Sequence, residues 1–123
     1  MKLKTSEVNG IALDWAVAKC EGLEVEIDSH PHDHNYKALF FKGDMPADFT
    51  FEWTWAGPII ERERISVEPC FDLKWVAIRT ESPNSAFEEE GPTPLIAAMR
   101  CHVANKMGDE IEVPDELMEG EEA

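Results

Sequence analysis

The chain has 123 residues, 43% of them hydrophobic, and four tryptophans, enough for one compact domain with its own core. Its 26 acidic and 11 basic residues give a formal charge of −15, which disfavours direct binding to duplex nucleic acid, where Lys and Arg must neutralise phosphates. No apolar stretch approaches the length that crosses a bilayer, no signal-peptide core opens the chain, and three cysteines lack close pairing, so a soluble cytoplasmic protein with free thiols and no membrane association is expected.

The charge is unevenly spread. Eight of the acids fall in residues 109–123, which hold no base, so 18 acids against 11 bases leave −7 for residues 1–108. The expected organisation is a single α+β domain over 1–108 and a solvated acidic tail over 109–123. The fold class is a small antiparallel sheet of about four to five strands packed by two main helices and one short one.

In chain order, Met1 to Lys4 suits a short edge strand, and Thr5 or Ser6 is placed to cap a helix over roughly 6–21. Val8, Ile11, Ala12 and Trp15 recur there at helical spacing, and Gly22 supplies a left-handed stop. Leu23 to Asp28 alternates apolar with acidic residues, the period-two pattern of a half-buried strand. Residues 29–35, broken by Pro31, read as a loop, and 38–42 as a further strand. Phe49, Phe51, Trp53 and Trp55 alternate as well. They form either one aromatic strand face or a loop that tucks its tryptophans under the next helical turn.

Gly57-Pro58 and Gly91-Pro92 open two apolar segments, each carrying arginine. Proline fits the first helical turn, where backbone N–H groups lack intrahelical partners, so a short helix is expected from Pro58. Residues 64–68 and 72–79 pair as strands, and 81–90 is a polar loop. A main helix is capped by Thr93 with Pro94 in its first turn, carries a stripe of Ile96, Met99, Val103 and Met107, and stops at Gly108.

Three constellations carry possible chemistry. His30, His32 and His34 alternate as metal ligands would in an extended segment, but proline lies between them and no fourth ligand is evident, so no metal or other cofactor is expected. Arg62, Arg64, Arg79 and Arg100 have forks that match phosphate or carboxylate, and Trp55 with the Gly57-Pro58 turn would complete a pocket for a small anionic, nucleotide-like ligand. The competing reading of Arg64 is a surface pair with Glu61. The tryptophans have a competing role in the core. Nucleophile motifs are missing, and Cys101 and His102, adjacent on one helix, point about 100° apart. The expectation is a binding protein, not an enzyme.

Three ordered blocks carry a resemblance: Thr5-Ser6-Glu7 with Gly10 and Ala12-Leu13-Asp14-Trp15-Ala16-Val17-Ala18; Gly57-Pro58-Ile59-Ile60-Glu61-Arg62-Glu63; and Gly91 to Arg100 with Gly108 to Pro114. Together they resemble the phage NinX-like family, small accessory proteins of tailed phages and prophages with no assigned biochemical role. Where that family has glycine after E-R-E, this chain has Arg64. The resemblance implies a bacteriophage accessory protein in the host cytoplasm, and with binding features but no catalytic ones in its residues the expectation is a non-catalytic protein acting stoichiometrically on host machinery, host defence included. Its partner is the small anionic ligand above or a host protein. In the second case the acidic surface, with Glu88, Glu89, Glu90 and the tail as contacts, inhibits the host protein or imitates DNA. Apolar area left exposed by so small a sheet also fits a homodimer.

Overall fold

The structure is a computed structural model that describes residues 1–30, 33–41, 45–46 and 48–117. Among these, three helices and three antiparallel sheets give an α+β fold. β1 (Lys2–Lys4) pairs with β8 (Glu110–Glu112). β2 (Val25–His30), β3 (Asp33–Phe41) and β4 (Met45–Pro46) form a second sheet. β5 (Ser66–Pro69), β6 (Trp75–Ser82) and β7 (Ser85–Gly91) form a third. The strands thus divide among three small sheets instead of joining one.

The centre of the molecule is α3 (Pro94–Met107), which packs on β5, β6 and β7, and also against α1 (Gly10–Cys20), α2 (Trp53–Glu63) and β8. Leu95, Ala97, Ala98, Met99, Cys101, Val103 and Ala104 are all buried, so α3 is covered on nearly every side. The expected single stripe is therefore too narrow: Ile96 is half-buried and Met107 lies at the exposed end. Thr93 caps the helix as its sequence predicts, its Oγ1 accepting from Ile96 N–H at 3.2 Å. Small side chains on α3 let the sheet come close. A Cβ on Gly91 would lie 2.7 Å from the Ala97 nitrogen, so the end of β7 reaches α3 only because this residue is glycine.

Helix α1 buries Ala12, Leu13, Ala16 and Val17 and ends at Gly22, whose φ is +69°. The closing bonds, Gly22 N–H to Lys19 and Leu23 N–H to Ala18, satisfy carbonyls that the last turn leaves open. Helix α2 ends with the same two bonds, Arg64 N–H to Glu61 and Ile65 N–H to Ile60. Here the left-handed position is held by Arg64, at φ 57° and ψ 47°. The turn forms despite the side chain, and Ile65 is buried behind it.

Five further expectations change. Helix α2 begins at Trp53, not Pro58, because the Asp48–Glu52 turn starts it through Glu52 N–H to Asp48 and Ala56 N–H to Glu52. Pro58 sits inside the helix, where it cannot donate to the carbonyl four residues back. The 49–55 segment is neither an aromatic strand face nor a set of tucked tryptophans. Phe49 is buried, Phe51 and Trp53 are exposed, and Trp55 is half-buried with its ring edge-on to Phe49 at 6.3 Å.

The 81–90 stretch is a hairpin, with β6 running to Ser82 and β7 starting at Ser85. Its glutamates face alternately in and out, which lets a polar segment pair as an edge strand. Of the expected 29–35 loop, residues 29–30 belong to β2 and residues 33–35 to β3, with His30 opposite Asp33. His32 lies outside the described residues. Among the described residues no group of three or more His, Cys, Asp or Glu gathers as a metal site would.

Residues 110–117 of the expected tail are built into the body. Lys2, Leu3 and Lys4 pair with Glu112, Ile111 and Glu110, and Ile111, Val113 and Leu117 are buried. Alternation explains this: Glu110, Glu112 and Asp115 face water while Ile111 and Val113 face in. Thr5 Oγ1 donates to the Gly108 carbonyl at 2.6 Å, and the terminal amine of Met1 meets Val113, Glu112 and Asp115, so the two ends of the domain close on each other.

Candidate functional site: an internal charge cluster and an acidic sheet face

The four arginines separate into three environments. Arg62 donates two parallel bonds of 2.8 Å to the Glu21 carboxylate and a third of 2.8 Å from Nε to Glu63. Glu63 Oε1 lies 3.4 Å from both Arg79 Nε and Lys106 Nζ. Arg79 Nε has no hydrogen-bond partner, so its contact with Glu63 is held by charge alone, while Nη1 donates to Glu81 at 2.7 Å. On the far side of Glu21, His102 Nε2 lies 3.0 Å from Oε2. The cluster ties the ends of α1 and α2 to β6 and α3.

Its electrostatics follow from this arrangement. Hydrogen bonds from Arg62 hold the Glu21 and Glu63 carboxyls below the usual carboxylate range. His102 is fully buried, and burial lowers its pKa although Glu21 pulls the other way. A neutral His102 bonds Glu21 through Nε2–H, which leaves Nδ1 as a bare acceptor, buried and without a partner. A histidine oriented by a carboxylate is the base half of a nucleophile-base pair, but among the described residues no hydroxyl or thiol meets Nδ1. Burial pushes the Cys20 and Cys101 thiols up to about 11, far from a reactive thiolate.

Arg100 stands apart. It is 8% exposed, and Nε, Nη1 and Nη2 donate to the carbonyls of Val8, Glu90 and Glu7. It anchors the chain before α1 and the end of β7 to α3. Beside it a shallow cleft of about 200 Å³ is lined by Ser6, Lys74, Glu90, Gly91, Pro92 and Arg100. Arg64 is exposed at the end of α2, while Gly57 and Pro58 lie within that helix, away from its positive end. Arg62 and Arg79 thus meet at Glu63, and Arg100 serves a different part of the fold. Trp55 packs on Phe49.

Sequence reasoning missed Glu21 and undervalued His102. A signal was present in α3: a histidine among Met99, Cys101 and Val103 on an apolar helix has to find a polar partner.

The outer face of the third sheet is the other concentration of charge. Residues opposite one another share a face, so Glu68, Val76 and Glu90 form one outward row and Ser66, Ile78 and Glu88 the next. Glu68, Glu88 and Glu90 are exposed, while Val76 and Ile78 are half-buried between them. The single base in these three strands, Arg79, is on the inner face with Ala77. Of the three successive glutamates, Glu89 turns inward, lines a second cleft with Lys4, Ser6, Asp109 and Glu110, and has its pKa raised by burial.

Fold and charge define a small acidic α+β domain braced by internal ion pairs, with one acidic sheet face open to contact. The family profile described as Bacteriophage P22, NinX matches residues 4–106, and the chain belongs to that family. A search of curated proteins gives no match to it. The chain is thus a phage protein of the accessory kind. Among the described residues no helix is long and apolar enough to cross a membrane.

Proposed function

We propose that this protein is a non-catalytic phage accessory factor that acts in the host cytoplasm by stoichiometric binding, laying the outer face of β5–β6–β7 on a basic surface of a host protein. The observation that carries the reading is the segregation of charge on this sheet. Glu68, Glu88 and Glu90 point outward around Val76 and Ile78, and the only base of the three strands points inward. Such a surface attracts a cationic partner and repels nucleic acid, which favours direct protein contact or competition for a DNA-binding site. Components of host defence that bind nucleic acid are targets of this charge. The test is capture from a bacterial host lysate by the whole protein and by a Glu68→Gln/Glu88→Gln/Glu90→Gln variant. Loss of the captured protein with the variant supports the reading, and equal capture overturns it.

A second reading keeps an anionic ligand, now at the Gly91-Pro92 turn. It is favoured by the cleft that Lys74, Ser6 and Arg100 line beside the start of α3. Its volume suits a phosphate-sized group better than a whole nucleotide, since pockets for drug-sized ligands run to roughly 300 Å³ or more. Calorimetry with nucleotides and inorganic phosphate checks it: heat that disappears in Lys74→Ala supports a site there, and no heat with any of them removes it.

A further inference from the structure

The connection between β5 and β6 carries the two most exposed large apolar side chains among the described residues, Phe71 at 92% and Leu73 at 94%. The loop is closed by Cys70 N–H to the Lys74 carbonyl at 2.9 Å and Lys74 N–H to the Phe71 carbonyl at 3.4 Å. Inside it, Asp72 and Leu73 take consecutive left-handed conformations, with φ of 65° and 60°. Glycine or asparagine would hold this turn with less strain, and a polar residue would hold it in water. Neither apolar side chain contributes to the core.

We propose that Phe71 and Leu73 are an apolar anchor that enters a pocket on a partner protein, with basic side chains around the pocket's rim. Charge complementarity selects this partner. Asp72 lies between the two anchors and exposed Lys74 follows them, and the first outward row of the sheet beyond the tip brings exposed Glu68 and Glu90 to either side of Val76, roughly 10 Å apart at the usual strand spacing, so three acids surround the anchors against one base. An anionic membrane surface or a second copy of this chain would place like charges against these acids. A protein with an apolar cavity and a cationic rim meets both parts of the tip, as a central anchor within a polar ring does at protein interfaces. The inference rests on the acidic-face reading and adds to it the element that gives close packing.

The test places a photo-crosslinking benzoyl-phenylalanine at position 71 of the whole protein in a bacterial host lysate, with the same group at Asn84 on the other hairpin as control. The expected result is a crosslink from position 71 alone, mapping to apolar residues flanked by Lys or Arg on the protein that the acidic face captures. With that protein purified, Phe71→Ser/Leu73→Ser is expected to weaken binding about thirtyfold or more, as loss of two central anchors does. Thermal unfolding of this variant should match the native protein, since both side chains stand in solvent. Affinity within about twofold of native, while Glu68→Gln/Glu88→Gln/Glu90→Gln binds weakly, overturns the anchor and leaves the acidic-face reading standing. If neither variant changes affinity, both fall. Crosslinks from position 71 only to a second copy of the chain or to lipid also overturn the anchor.

Discussion

His102 Nε2 lies 3.0 Å from Glu21 Oε2, and this contact joins the middle of the buried central helix to the half-buried end of α1. Burial holds the folded pKa of His102 below its ordinary value of 6.5. The unfolded chain therefore takes up a proton first as the solution is acidified, and stability is lost as pH falls below about 6.5. In His102→Gln this part of the acid loss should disappear, while the loss from Glu21 remains at pH values below the ordinary carboxylate range. Urea midpoints of the two proteins between pH 7 and 5 check it, and parallel curves would contradict the burial of a neutral imidazole.

Asp14 gives the opposite slope. It is buried, accepts from Thr50 N–H at 3.0 Å, and burial raises its pKa from 3.8 to about 7. A folded pKa above the unfolded one means that the stabilisation is complete below about pH 4 and is lost as pH rises through about 7. The expected loss between pH 5 and 8 is on the order of 2 kcal/mol. Asp14→Asn keeps an acceptor for Thr50 and should remove this slope in chemical denaturation. Because Asp14 and His102 oppose each other between pH 5 and 6.5, the single variants separate what the native curve merges.

Arg64 occupies the left-handed position that closes α2, and it is exposed. Arg64→Gly should raise stability by about 0.5–1 kcal/mol, since glycine takes this conformation without strain from a Cβ. A rise in the thermal midpoint is the expected result, and a fall would mean that the arginine side chain contributes more than the turn costs.

Gly91 and Gly57 should respond in opposite directions. A Cβ at Gly91 would press on the Ala97 backbone at 2.7 Å, and Gly91→Ala is expected to destabilise by about 1–3 kcal/mol as β7 is pushed from α3. Gly57 lies within α2 with nothing inside 4 Å of that position, so Gly57→Ala should stabilise by up to about 1 kcal/mol. Unfolding midpoints of both variants provide the comparison.

Local chemistry made much of the fold legible. Thr93 with Pro94 marks the start of α3, Gly22 the end of α1, and the alternating residues after Leu23 the strand β2. What could not be read was decided at a distance. Pro58 is a good first-turn residue, yet the turn at Asp48 starts α2 earlier. Glu88, Glu89 and Glu90 are a poor strand signal, yet β6 offers a partner and the run alternates between water and a cleft. The candidate site was less legible. Arginine forks are visible in a sequence, but what they bind depends on which acceptors the fold delivers. Glu21, Glu63 and three backbone carbonyls reach Arg62, Arg79 and Arg100 from elements remote in the chain.

The most direct measurement is calorimetric titration of the captured host protein, purified, with the whole phage protein at two salt concentrations. A saturable one-to-one binding that weakens with salt and falls sharply in Glu68→Gln/Glu88→Gln/Glu90→Gln is the predicted result. Binding that is indifferent to salt and equal in native protein and variant would contradict a stoichiometric factor acting through its acidic sheet face.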